Sequence, residues 1–233
     1  MTGKLEIGFL LFPNLTQLDL TGPYEVFGRL PGGRVHLAWK TLEPVIGDTG
    51  MAIMPNTTLD ECPQLDVICV PGGPGVNPLL NDDAVLGFLS RQASQAQFIT
   101  SVCTGALVLG AAGLLEGYKA ATHWASMHFL KEFGAIATHA RVVADRNRIT
   151  GGGVTAGIDF GLVVAARLAD ENVAQRIQLY LEYNPAPPFP AGNPDTAPTE
   201  VLSAFNAAAN SMLEERALAV KRASTRLARS GST

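Results

Sequence analysis

Phe98-Ile99-Thr100-Ser101-Val102-Cys103-Thr104-Gly105-Ala106-Leu107-Val108 decides how the chain folds. The run up to Val102 is apolar and β-branched, the pattern of a strand covered on both faces. From residue 104 to 115 the sequence turns to Ala, Leu and Val, which reads as a helix closed off near Gly117. A strand passing directly into a helix is the repeating unit of an α/β fold. Gly105 lets the backbone turn tightly. Cys103 therefore sits at the tip of the joint, a nucleophile elbow, where a side chain is pushed out of the sheet towards a pocket.

The same alternation extends in both directions. Residues 5–12 read as a continuous apolar strand, 34–40 as a strand with Val35, Leu37 and Trp39 on one face, and 66–71 as a buried strand stopped by Gly72-Gly73. A helix is predicted through Glu25, Val26, Phe27 and Leu30, with Pro23 in its first turn. Further helices are predicted over 83–96, 124–133, 155–169 and 171–182. Residues 45–54 read as a hairpin or edge excursion, 120–122 as a short strand, and 141–145 and 148–150 as strands around a turn at Arg146-Asn147. Together these predict a three-layer α/β sandwich with a mostly parallel central sheet. In such sheets functional residues gather beyond the carboxyl ends of the strands. Asp19, Gly72-Gly73, Cys103 and Gly151-Gly152-Gly153 all follow closely on predicted strands.

Composition narrows the function. The chain has 233 residues, 47% hydrophobic and 16% charged, enough to bury a full core without disulfides or metals. A net charge of -4 argues against nucleic acid as a partner, because phosphate binding needs a basic surface. The basic cluster Lys221, Arg222, Arg226 and Arg229 reads as a solvated helix face. The N-terminus, Met1-Thr2-Gly3-Lys4, leads into an apolar stretch too short for a membrane span and without a signal-peptide cleavage site. The expectation is a cytoplasmic protein with no membrane partner. Cys62, Cys69 and Cys103 are odd in number and contain no Cys-x-x-Cys pair. With His36, His123, His128 and His139 they make no metal-ligand pattern. From residue 183 to 198 six prolines forbid regular structure, and 199–229 is helical again. Its apolar stripe, Val201, Leu202, Phe205, Ala208, Met212 and Leu213, reads as packing on the domain or on a second subunit. Residues 1–184 are thus taken as the α/β domain, and 185–233 as a Pro-rich segment and C-terminal helix.

Cys103 is the first candidate for chemistry. A helix N-terminus favours negative charge, which lowers a thiol pKa, and its free N–H groups can hold an oxyanion. Cys69, inside Val67-Ile68-Cys69-Val70, reads as core, and Cys62 as incidental. Asp19, between Leu18 and Leu20, is either a proton donor with a raised pKa or the N-cap of the helix that follows. Gly72 and Gly73 either offer N–H donors to a developing negative charge or only make a turn. Gly152 and Gly153 read as a hinge beside the site rather than a phosphate cradle. His123 is either a base for Cys103 or a structural histidine bonded to backbone.

Four ordered motifs carry a family likeness: Val70-Pro71-Gly72-Gly73, Ser101-Val102-Cys103-Thr104-Gly105, Ala121-Thr122-His123-Trp124 and Gly152-Gly153-Val154-Thr155-Ala156-Gly157-Ile158-Asp159. They resemble the ThiJ/PfpI superfamily, whose fold is a flavodoxin-like sandwich with an elbow cysteine. Gln17-Leu18-Asp19-Leu20-Thr21-Gly22-Pro23 and Leu181-Glu182-Tyr183-Asn184-Pro185-Ala186-Pro187-Pro188-Phe189 extend the likeness to the isonitrile hydratase branch. Many superfamily members have a glutamate where this chain has Asp19. The resemblance implies hydration of an isonitrile to an N-substituted formamide, with no metal or organic cofactor. Cys103 would attack, Asp19 would move protons, and Thr104 would orient the thiol. Val154 would place an N–H near the sulfur, and His123 would stand outside the reacting set. The likeness and the apolar tail helix imply a homodimer. Two other readings stay open: an amidase, peptidase or glyoxalase using Cys103 with His123, and a ligand- or redox-sensing domain like the sensor half of certain transcription activators.

Overall fold

The computed structural model describes residues 4–230, so the readings of residues 1–3 and 231–233 lie outside the described residues. In chain order the first elements are β1 (Leu5–Leu10), α1 (Gln17–Phe27), β2 (Gly33–Trp39), β3 (Val45–Ile46), β4 (Ala52–Ile53), β5 (Thr57–Thr58), β6 (Val67–Val70), α2 (Val76–Leu79) and α3 (Asp83–Ala93). Then come β7 (Phe98–Val102), α4 (Gly105–Ala111), β8 (Lys119–Ala120) and a 3-10 helix (Trp124–Phe133). The remainder is β9 (Ile136–Ala137), β10 (Val142–Asp145), β11 (Arg148–Gly151), α5 (Ala156–Leu168), α6 (Glu171–Tyr180) and α7 (Thr199–Ser230).

One seven-stranded sheet runs in the order β10-β11-β7-β6-β1-β2-β5. Every neighbouring pair is parallel except β10 with β11. Helices α1, α5 and α6 pack together, and α3, α4, α7 and the 3-10 helix form a second group. This is the helix-covered parallel sheet that the strand–helix alternation predicts, of the flavodoxin-like type that the family resemblance implies. β6 is buried along its whole length, which explains its unbroken apolar sequence. Between the sheet and the α1–α5 layer, Phe27 packs against Phe9 and meets Phe160 edge-on.

Sheet register brings the motifs together. Val70 pairs with Ser101, and Gly151 pairs with Val102. Continued one or two residues beyond those pairs, Gly72, Cys103 and Gly152 emerge level at one edge of the sheet.

Four local readings are corrected. Helix α1 starts at Gln17 with Thr16 as N-cap, so Pro23 lies inside it rather than in its first turn. The short elements β5, α2 and β9 occupy stretches for which the sequence predicts no element. In α7, Val201, Phe205 and Ala208 are exposed, and burial begins at Arg216, Ala219, Val220 and Ala223. Arg226, read as part of a solvated face, is half-buried and donates to the carbonyls of Leu80 and Ala111. No helix among the described residues is long and apolar enough to cross a membrane.

Candidate active site

The turn after β7 forces Cys103 into the left-handed region, with φ at 54°. A non-glycine residue held there costs about 1–3 kcal/mol. Two bonds hold it: the Cys103 N–H donates to the Gly151 carbonyl at 3.0 Å, and Thr122 Oγ1 donates to the Cys103 carbonyl at 2.8 Å. Gly105 is required just beyond. A Cβ there would lie 2.0 Å from the Val70 carbonyl oxygen, so only glycine lets α4 leave the sheet edge this closely.

Asp19 lies in the first turn of α1, fully buried. It caps nothing. Its Oδ2 instead accepts the Gly72 N–H at 3.1 Å, across 53 residues of sequence, which removes the N-cap reading. Its other oxygen, Oδ1, is buried without a hydrogen-bond partner, and the Cys103 thiol stands beside the carboxyl. Burial raises its pKa from 3.8 to about 7, opposed by the Cys103 and Gly72 hydrogen bonds. Gly72 makes the approach possible: a Cβ there would sit 2.8 Å from Asp19 Oδ2 and 2.6 Å from the Thr104 nitrogen.

Thr104 closes the ring. Its Oγ1 accepts the Gly73 N–H at 3.0 Å and lies 3.3 Å from the Gly73 carbonyl. The thiol of Cys103 is buried too, 5% exposed. Here the expected depression of its pKa by the helix N-terminus is overturned. Burial pushes the thiol well above its ordinary range, and the charge of Asp19 adds to that. The Thr104 N–H and hydroxyl pull the other way but do not win. The cause is dehydration: burial removes the water that would stabilise a thiolate, and the partial charge of one helix end does not replace it. Asp19 and the thiol therefore share one proton rather than ionising together.

The remaining predicted residues are placed as follows. His123 is the N-cap of the 3-10 helix, its Nδ1 accepting the Ala125 N–H at 3.4 Å. Its ring lies against Trp124 and Phe205. Asp19 and Thr104 hydrogen-bond the Cys103 thiol through their side chains, and His123 does not. Gly152 donates its N–H to the Arg141 carbonyl at 2.9 Å, and Gly153 has open space around its Cα. Val154 is partly buried against the core, its carbonyl accepting from the Gly157 N–H. Among the described residues, no three His, Cys, Asp or Glu side chains converge to hold a metal ion. A cleft of about 690 Å³ lined by Arg29, Arg176 and Tyr180 shares no residue with the Cys103 site.

Residues 6–167 match the DJ-1/PfpI family. The chain belongs to the DJ-1/PfpI family. It is 55% identical to the isonitrile hydratase of Pseudomonas putida, over 96% of this chain and 98% of that one. It is 35% identical to the HTH-type transcriptional regulator GbdR of Pseudomonas aeruginosa, over 70% of this chain and 46% of the regulator. Among solved structures, a ThiJ/PfpI family protein from Pseudomonas syringae superposes with a TM-score of 0.91 at 45% identity, covering 94% of this chain and 91% of that one.

One residue beside this DJ-1/PfpI site escaped the sequence reading. Arg216 lies on α7, beyond the segment matched to the family, and is 3% exposed. It donates to Asn77 Oδ1 at 2.9 Å, to Ser126 Oγ at 2.9 Å and to the Gly73 carbonyl at 3.4 Å. A signal was present. Met212, Arg216, Ala219, Val220 and Ala223 follow helical spacing, so the arginine falls on the stripe that packs inward.

Proposed function

We propose that this chain is an isonitrile hydratase that adds water to R–N≡C to give an N-substituted formamide. One observation carries the reading: the polar side chains on the Cys103 thiol are a buried carboxyl and a threonine, not a histidine. Identity to the Pseudomonas putida isonitrile hydratase along nearly the whole of both chains supports it.

The steps follow from the shared proton. At neutral pH that proton rests on the sulfur, and its transfer to the Asp19 carboxylate makes Cys103 the anion, whose sulfur attacks the terminal carbon of the isonitrile, forming a C–S bond. Asp19 gives its proton to that carbon, leaving a thioimidate, R–N=CH–S–Cys103. Water then adds to the same carbon. One of its protons ends on nitrogen and the other returns to Asp19. Collapse of the adduct expels the Cys103 thiolate and releases R–NH–CHO. A carboxyl with a pKa of about 7 suits both halves, because it gives and takes a proton at neutral pH with little cost. The N–H groups of Gly72 and Gly73 hold Asp19 and Thr104 in place. Thr104 orients the thiol, and the Val154 N–H is assigned to the sulfur's other side. Gly152 and Gly153 leave room beside it, and His123 supports the wall from outside. In this reading residues 1–184 supply the reacting groups, and 185–233 support them.

The test is incubation with an aryl isonitrile and detection of the formamide. Wild type turns it over, and Cys103→Ala gives only the background rate. Full activity in that variant would end the assignment. The assembly is proposed as a homodimer, with the exposed Val201 and Phe205 of α7 as apolar contact surface. Sedimentation showing only monomer at micromolar concentration would contradict it.

A further inference from the structure

Among the described residues, Arg216 is the only buried lysine or arginine. Its bonds all run to neutral oxygens, those of Asn77, Ser126 and Gly73. No described carboxylate lies within ion-pairing distance of it. A guanidinium stays charged in a protein interior, so this is a buried positive charge without a fixed counter-ion. Such a charge is expensive unless something negative faces it.

The groups facing it are few. From the 3-10 helix comes His123, which burial and the Arg216 charge together keep neutral. From α2 and the same 3-10 helix come Asn77 and Ser126, which do not titrate. From the elbow comes Cys103, whose negative charge acts on Arg216 against the effect of burial. Around Cys103 itself stand Asp19 and, acting on Asp19, Asp48. The one anion the site can offer Arg216 is therefore the charge shared by Cys103 and Asp19. A direct chain of bonds connects them: Arg216 holds the Gly73 carbonyl, the Gly73 N–H holds Thr104, and Thr104 follows Cys103.

We propose that Arg216 is a positioning residue of the Cys103 site, supplying the buried positive charge that faces the anionic cysteine and anchoring the Gly73 carbonyl. The proposal rests on the reading of Cys103 as the reactive group. It makes the last helix part of the site, although the family match ends at residue 167. It also gives a reason for burial to begin at Arg216 on a helix that is mostly exposed before it.

The experiment is alkylation of Cys103 in the full-length protein by iodoacetamide, followed by mass spectrometry across a pH series. Arg216→Met moves the midpoint of the rate profile up by about one pH unit, so that labelling below the midpoint is about tenfold slower. Arg216→Lys, which keeps the charge, restores most of the shift. Asn77→Asp, which gives Arg216 a carboxylate and leaves it in place, raises the midpoint as well and serves if Arg216→Met does not fold. An unchanged midpoint in folded Arg216→Met or in Asn77→Asp overturns the proposal, as does a Lys variant no better than Met. The readout needs no isonitrile. Wild type without hydratase turnover, but with the shifts as stated, ends the functional reading and leaves this one standing. Turnover with unshifted profiles does the reverse.

Discussion

Cys69 and Cys103 lie on adjacent strands or their ends, and both are buried. In both, burial pushes the thiol pKa upward, and in both the charge of Asp19 pushes it further. Neither burial nor acidity separates them. Conformation and partners do. Cys69 is a mid-strand residue paired with Thr100 and packed in the core. Cys103 is held at positive φ, where its backbone is out of the sheet and its sulfur meets the Asp19 carboxyl and the Thr104 N–H. The usual rule ties a reactive cysteine to a depressed pKa. In the proposed mechanism the reactive form depends instead on where the proton goes, with Asp19 as the group that takes or returns it.

The strongest way to break this contrast is Asp19→Asn. The amide still accepts the Gly72 N–H but cannot carry a proton to carbon or take one from water. Loss of a positioned acid–base group costs about 10²- to 10⁴-fold. Formamide production from an aryl isonitrile is expected to fall within that range while Cys103 stays in place. Near-normal turnover would mean that the carboxyl only braces the turn, and that Cys103 differs from Cys69 in geometry alone.

The same variant sharpens the contrast through stability. Asp19 has a pKa of about 7 in the folded chain against 3.8 as its ordinary value. Between those values the unfolded chain has released the proton and the folded chain keeps it. Stability therefore falls as pH rises through that window, and the full penalty remains above pH 7. Asparagine carries no such penalty. Unfolding free energies from urea titrations are expected to favour Asp19→Asn over wild type by a margin that grows by about 2–3 kcal/mol from pH 5 to pH 8. Parallel curves would mean that the carboxyl is hydrated in solution.

How much of this was legible in the sequence depended on the range of the interactions involved. β7 falls on the residues read from the apolar run, because a strand buried on both faces writes itself as an unbroken stretch. Cys103 followed from that strand and Gly105. Asp19 could be singled out, but its place could not. Pro23 drew the helix start too far along, while Thr16 marks the real one. β5 and β9 have two residues each and exist only because a neighbouring strand is there to pair with. The thiol's raised pKa was hidden for a similar reason: burial and the charge of Asp19 come from residues distant in sequence, whereas the helix end is written locally. Arg216 was hidden by distance, since its partners Asn77, Ser126 and Gly73 lie 139, 90 and 143 residues away.

Cys69→Ala tests the other side of the comparison and carries the smallest effect. Cys69 is fully buried in β6, and its thiol stays neutral because burial holds its pKa up. Removing the sulfur deletes core contacts and leaves a small void, which costs about 1–2 kcal/mol. A group that is neutral in both folded and unfolded chains at these pH values binds no extra proton on folding. The stability difference from wild type is therefore expected to be flat from pH 5 to pH 8, unlike that of Asp19→Asn. Hydration of the isonitrile should stay within about twofold of wild type, since conservative loss in a core away from the reacting atoms leaves the site geometry intact. A collapse of activity in a folded Cys69→Ala protein would place the β6 thiol in the proton-sharing set. Position at the elbow would then no longer be what distinguishes the two cysteines.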